Sequence, residues 1–351
     1  MTIKVAVNGY GVIGKRVADA VRAMPDMDLV GVADVATDWR VRTAVGLGFD
    51  VFAATPDAST AMQAAGVPVA GHLGDLLKRV DVVVDTTPKK VAATNLQAYR
   101  AAGIKAVFQG GESHTTTGHS FVAQANYSTA LGRDTTRVVS CNTTSIVRVL
   151  GALQDADLLA RARGVLIRRA TDPGESHQGG IMNTMVPEGS IPSHQGPDAR
   201  TVLPDLDVVT IAAKAAHTQT HNHYWTLQLS RPASRDEVID ALRAAPRIAF
   251  IRMADGLTAL NTTIELMRDL GRPRGDMWEV ALWEDVLTVE GDEAYLTYQV
   301  FNEAIVVPET VDAIRALAGT VSEGSSSIAM TDEVLGIRRE FLPDPVRVPT
   351  T

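Results

Sequence analysis

At 351 residues the chain exceeds one ordinary core, and two packed domains are expected. An apolar share of 45% with 21% charged residues describes a soluble globular protein, and the formal net charge of −8 argues against a general nucleic-acid surface. No run approaches the ~20 apolar residues of a membrane span, and Cys141, the single cysteine, excludes an internal disulfide.

The first elements alternate strand and helix. Ile3 to Val7 reads as a strand, Val12 to Met24 as a helix and Asp28 to Ala33 as a strand. Val80 to Val84 and Lys105 to Phe108 follow as strands, with a helix over Lys89 to Ala102 that stops at Gly103. Arg137 to Ser140 ends this series, which implies a parallel sheet covered on both faces. A helix from about Thr144 to Leu158 then precedes longer extended runs at Gly164 to Ala170, Asp207 to Lys214, Tyr224 to Leu229, Ile248 to Met253 and Trp278 to Val289. Ser234-x-x-Glu237 is a capping box opening a helix through Arg243, and Pro308-Glu309 begins one that runs through Ala318. These predict an antiparallel or mixed sheet with helices on one face. The irregular stretch Thr171 to Pro204 is long for a connection and is expected to be functional. Met1 to Val5 enters the first strand without signal-peptide architecture, so a cytoplasmic location is expected.

Gly9-Tyr10-Gly11-Val12-Ile13-Gly14 places G-x-G-x-x-G between the first strand and the first helix. The first glycine suits a tight turn, the second lets backbone approach a pyrophosphate, and the third allows close helix–strand packing. Asp34, twenty residues beyond Gly14, stands where an acidic side chain accepts from the adenine ribose hydroxyls. That predicts NAD in preference to NADP. A glycine-rich turn and a solvated carboxylate are the plainer alternatives.

Cys141 follows Val138-Val139-Ser140 and precedes Asn142-Thr143-Thr144, a strand-to-helix junction. Backbone N–H groups at such a helix start are expected to lower the thiol pKa and to face a developing oxyanion. A small buried hydrophobe is the alternative reading of a lone cysteine. His217, His221 and His223 share one face if their segment is extended, and one of them is the expected base. Metal binding by His221 and His223 lacks a visibly spaced further ligand, so no metal is expected. Arg168 and Arg169 point to opposite sides of a strand, one suited to an anion and the other to a structural ion pair.

The chain resembles the archaeal-type (type II) glyceraldehyde-3-phosphate dehydrogenases over nearly its whole length. The blocks are Asn8 to Val17, Thr87-Pro88-Lys89-Lys90, Phe108-Gln109-Gly110-Gly111-Glu112, Ser140 to Thr144, Ile167 to Ala170, Pro192 to Asp198, His221-x-His223 and Val307 to Arg315. The resemblance implies an α/β protein: an N-terminal Rossmann dinucleotide-binding domain and an α+β catalytic domain with a mixed or antiparallel sheet. The first spans 1–140 plus about 303–351, its last helix returning to it, and the second spans 141–302. Cys141 matches the family nucleophile and His221 its base. Ser140, Asn142, His194 and Gln195 fall on substrate-contact positions, and Arg168 is assigned to the substrate. Val12, Ile13, Gly111, Arg169 and Asn302 fall on dinucleotide contacts, beside Gly9, Gly11, Gly14 and Asp34. Homotetramers are usual in such families. Three departures stand out: Gln195 where a second histidine is common, Asn302 where a glutamine is common, and Asp34 where many archaeal members carry lysine.

The implied reaction oxidises D-glyceraldehyde 3-phosphate, with inorganic phosphate, to 1,3-bisphosphoglycerate through a Cys141 thioester, with His221 removing the hydroxyl proton as hydride leaves. Erythrose 4-phosphate, aspartate semialdehyde or an N-acyl glutamate semialdehyde are rival substrates of the same chemistry. A non-catalytic dinucleotide sensor is the rival of another class.

Overall fold

The computed structural model describes residues 2–89, 91–109, 111–172 and 181–343. Lys90, Gly110, the part of the irregular stretch over 173–180 and the end of the expected nucleotide domain over 344–351 lie outside them.

The N-terminal sheet is built from β1 (Ile3–Asn8), β2 (Met27–Asp34), β3 (Val51–Ala53), β4 (Gly71–His72), β5 (Val82–Asp85), β6 (Lys105–Phe108), β7 (Ser120–Phe121) and β8 (Thr135–Val138). Its order is β4-β3-β2-β1-β5-β6-β8-β7, parallel throughout. Val5, Val7, Val82, Val83, Val84 and Val107 are fully buried, as strands covered on both faces require. The strand order reverses between β1 and β5, and a ligand crevice opens at the carboxyl ends of strands flanking such a point.

The second sheet contains β9 (Leu159–Arg169), β10 (Met185–Pro187), β11 (Val208–Ala215), β12 (His221–Leu229), β13 (Ile248–Ile251), β14 (Val280–Trp283), β15 (Thr288–Glu290) and β16 (Glu293–Val300). Its order is β10-β11-β9-β12-β16-β14-β13, with β15 beside β16. β9 with β11 and β13 with β14 are parallel; the remaining pairs are antiparallel. The fold is thus the expected α/β architecture with a mixed second sheet.

Several boundaries moved. The helix expected from Thr144 runs Cys141–Asp155, because Ser140 caps it, its hydroxyl accepting from the Thr143 N–H at 3.3 Å. The run Trp278 to Val289 is broken into β14, a 3₁₀ turn over Glu284–Val286, and β15. The C-terminal helix Val306–Ala318 starts two residues before Pro308 and packs against β5, β6, β8 and the helix Val12–Ala23. Helices Trp39–Gly46, Pro56–Ala64, Val91–Ala102, Ala123–Ala130, Arg235–Ala244, Leu260–Asp269 and Gly324–Leu335 add to the covering.

Candidate active site

The helix Cys141–Asp155 is driven inward by Ile146, Val147, Leu150 and Leu153, all fully buried, and this holds its first turn against the end of the second sheet. Cys141 opens that turn at a cavity of about 400 Å³. Ser140, Asn142, Arg168, Arg169, His194, His221 and Asn302 also line it, so the fold gathers these expected residues from distant parts of the chain. Lys214 and Asp172 join them.

The thiol does not behave as the helix start predicted. Burial pushes Cys141 up to about 11, against Arg169, Arg168 and a backbone hydrogen bond that pull it down. Desolvation of the thiolate outweighs these partial and distant charges. His221 is buried as well, and burial together with Arg169 depresses its pKa well below the usual value. Its Nδ1 accepts from the Arg169 backbone N–H at 3.1 Å. A neutral ring held that way carries its proton on Nε2 and presents it to the cavity as a hydrogen-bond donor.

His217 does not share the strand face. β12 begins only at His221, Thr220 has φ +33°, and the His217 Nε2 meets the Thr220 carbonyl at 3.2 Å. His223 is fully buried behind the cavity, with Asn142 at 2.8 Å and Tyr298 at 2.9 Å.

Both arginines line the cavity and both are ion-paired, so the expected division between an anion grip and a structural pair is not seen. Arg168 donates to Glu188 at 3.1 Å, and its buried Nε has no partner among the described residues. Glu188 also accepts from His194, at 2.6 Å from Nδ1 and 3.2 Å from the backbone N–H. Burial raises the Glu188 pKa, but these hydrogen bonds and charges bring it below the ordinary value. Arg169 is instead paired with Glu303 and Asp172. Lys214 lies opposite Arg168 across β11 and β9, without an ion-pair partner among the described residues.

Gln195 departs from expectation. It is fully buried in the short helix Gln195–Ala199, outside the cavity lining, and neither amide atom has a partner among the described residues. One residue earlier, His194 faces the cavity; the turn of the helix separates them. Glu188, Lys214, Asp172 and Glu303 were missed by sequence reasoning. Glu188 and Asp172 fall within Thr171 to Pro204, the stretch expected to be functional, whereas Lys214 and Glu303 depend on strand register and chain return.

The glycine loop has the geometry of a phosphate cradle. Gly9 has φ +98°, and a Cβ on Gly14 would lie 1.8 Å from the Gly9 carbonyl oxygen, so neither position tolerates a side chain. A Cβ on Gly11 would meet nothing within 4 Å; the space before the first helical turn, Val12 and Ile13, is open. Gly111 follows β6 on the same edge of the sheet. The buried Asn302 Oδ1 lacks a partner among the described residues and is an acceptor suited to a carboxamide N–H₂. These residues fit a nicotinamide dinucleotide. Asp34 accepts three backbone N–H groups, from Tyr10 at 2.5 Å, Val35 at 2.7 Å and Ala36 at 2.8 Å. A carboxylate offers about four acceptor sites, so one remains for a ribose hydroxyl in place of the expected pair. Among the described residues no cluster could hold a metal ion, and no helix is long and apolar enough to cross a membrane.

Comparison with known proteins agrees with this arrangement. Residues 140–268 match the C-terminal domain of glyceraldehyde 3-phosphate dehydrogenase, and residues 3–143 match the N-terminus of dihydrodipicolinate reductase. The chain is 44% identical to the glyceraldehyde-3-phosphate dehydrogenase of Methanococcoides burtonii, over 95% of this chain and 99% of that protein. It is 44% identical to the protein of the same name from Metallosphaera sedula, over 97% and 99%. The one from Methanothermobacter thermautotrophicus is 41% identical, over 95% and 99%.

Proposed function

The chain belongs to the glyceraldehyde-3-phosphate dehydrogenase family, and from that premise we propose that it oxidises D-glyceraldehyde 3-phosphate, with NAD and inorganic phosphate, to 1,3-bisphosphoglycerate. The observation that carries this reading is the cavity itself. A thiol on a helix start, a buried imidazole, and the cations Arg168 and Lys214 face one space beside the dinucleotide crevice.

In this reading the Cys141 sulfur, as thiolate, bonds to the aldehyde carbon and the carbonyl electron pair moves to oxygen. The His221 Nε2–H donates to that oxygen, held in place by the Arg169 N–H on the opposite ring nitrogen. The nicotinamide dinucleotide, when bound, supplies the hydride acceptor. Once the carbon is at the acyl level, Cys141 holds it as a thioester. Phosphate attack then breaks the carbon–sulfur bond and returns the electron pair to Cys141. Arg168, His194 and Lys214 grip the substrate phosphate, with Glu188 ordering the first two. The thiol must stay reduced for this chemistry, which supports a cytoplasmic location.

Preference for NAD rests on Asp34. A 2′-phosphate brings nearly two negative charges beside it. At ~5 Å and an effective dielectric of ~40 they repel by roughly 3 kcal/mol in total, about a hundredfold in discrimination. The two arginines that follow are already engaged: Arg40 is tied to the Asp38 carboxylate and Arg42 to the Ala65 carbonyl. A homotetramer is also proposed, supported by an exposed apolar ladder, Ile211–Val165–Tyr224, in register across β11, β9 and β12.

Steady-state assays test the reading. Glyceraldehyde 3-phosphate and NAD should give turnover only with phosphate or arsenate, and kcat/KM with NADP should be lower by about a hundredfold. No turnover with this aldehyde refutes the substrate; equal use of NADP refutes the role of Asp34.

A further inference from the structure

The second histidine of the His-x-His pair lies behind the cavity wall rather than on it. His223 is fully buried, its ring 4.8 Å from that of Tyr298 and 6.2 Å from that of Trp225. An apolar side chain would fill this place at less cost than an imidazole, which must find partners for both nitrogens. The partners are specific. Asn142 Oδ1 lies 2.8 Å from Nε2, and the Tyr298 hydroxyl lies 2.9 Å from Nδ1.

The donor order follows from what each atom is able to do. An amide oxygen only accepts, so the His223 hydrogen sits on Nε2. Nδ1 then carries a lone pair and accepts from the Tyr298 O–H. Burial pushes the Tyr298 pKa upward, so the hydroxyl keeps its hydrogen, and burial lowers His223 to about 3, so the ring stays neutral in any ordinary buffer. The relay ends at Asn142, next to Cys141. There the Ser145 hydroxyl donates to the Asn142 carbonyl at 2.8 Å and fixes the backbone. Asn142 lines the cavity, and the only side-chain hydrogen bond it makes among the described residues is the one at Oδ1.

We propose that His223, oriented by Tyr298, is a positioning residue that locks the Asn142 side chain with its N–H₂ group toward the cavity, as a second donor to the substrate oxygen beside the His221 Nε2–H. The proposal rests on the aldehyde-oxidising reading above. Without His223 the Oδ1 loses its only partner among the described residues, and the amide turns to satisfy it, withdrawing the donor from the cavity. His223 then acts only through Asn142, and the two residues form one thermodynamic unit.

A double-mutant cycle tests this. Removing a preorganised donor of this kind costs on the order of 10²-fold in kcat, so Asn142→Ala and His223→Phe should each lose about that much with KM changed far less. The double variant should be no slower than Asn142→Ala alone. His223→Gln, which keeps an N–H near the Nε2 position, should recover kcat to within roughly tenfold of wild type, and Tyr298→Phe should lose less than His223→Phe. Losses that multiply in the double variant overturn the proposal, as does a glutamine variant that folds yet is as slow as phenylalanine. Crystal structures give a readout independent of turnover. In His223→Phe the Asn142 amide should have turned, whereas in His223→Gln and Tyr298→Phe, which keep a donor to Oδ1, it should stay in place. An unmoved Asn142 in the variant lacking the Nε2–H overturns the positioning role even if the wild type proves inactive on this aldehyde, a result that would by itself refute only the substrate reading.

Discussion

Cys141 and His221 face the cavity as a neutral thiol and a neutral ring, because burial moves the first pKa up to about 11 and the second well below its usual value. In the proposed reaction the thiolate is the nucleophile, and below its pKa its fraction grows about tenfold with each pH unit. In the free enzyme, kcat/KM and alkylation of Cys141 should therefore climb steadily from pH 7 to 9, with no break between 5 and 7 from His221. A donor role for His221 makes a further demand. His221→Ala should lose on the order of 10²- to 10³-fold in kcat, while His221→Gln, which retains an N–H, should recover much of it. A glutamine variant as slow as alanine, with a break near pH 6 in the wild type, would restore the base role. Cys141 was legible because its signal is local: a strand edge before it and polar capping residues after it. The protonation of the pair was not, since desolvation and the Arg169 N–H arise from packing. The burial of Gln195 beside the cavity-lining His194 was not legible, because the turn of a five-residue helix decides which of two neighbours faces the cavity.

At the scale of the element, the helix Val306–Ala318 carries a buried ionic network. Glu309 accepts from Arg148 at 2.6 Å, Arg247 at 3.0 Å and the Ala123 N–H at 2.6 Å. Asp312 accepts from Arg247 at 2.6 Å, and Arg315 donates to Asp26 at 2.7 Å. Breaking such a network by removing one partner leaves charges buried and unpaired, at a cost of about 3–5 kcal/mol. Glu309→Ala should lower the unfolding free energy by that amount in urea titration, and a loss under 1 kcal/mol would contradict the account. The helix itself was readable from its apolar period and Pro308. Its acidic face was not interpretable until Arg148 and Arg247 arrived from elsewhere in the chain. β16, central to the second sheet, escaped notice although Glu293 to Val300 follows a short turn after an extended run. The break in the run Trp278 to Val289 is fixed by Glu284, whose carboxylate holds Arg243 at 3.0 Å and Arg252 at 3.1 Å, a tertiary constraint without a local signature.

Across the whole molecule, the two sheets meet where cofactor and thiol chemistry must meet. Arg16, in the first turns after the glycine loop, donates to the buried Asp276 of the second half at 2.8 Å, and Gln109 reaches Thr310 of the returning helix at 2.5 Å. The alternation of strands and helices made the first half legible, whereas the outer face of the second sheet gave no sequence signal. Its Ile211–Val165–Tyr224 ladder should lie between subunits. Light scattering should give about four times 37.4 kDa for the wild type and a smaller species for Tyr224→Asp; a monomeric wild type would refute the assembly. The central claim is that Cys141 carries the acyl group between oxidation and phosphate attack, and one single-turnover measurement reaches it directly. Enzyme, glyceraldehyde 3-phosphate and NAD are mixed without phosphate, and NADH and the mass of the Cys141 peptide are followed together. The account predicts a burst of about one NADH per subunit with the acyl mass on Cys141, both discharged when phosphate is added. Continuous NADH formation without phosphate, or a burst that leaves Cys141 unmodified, would contradict it.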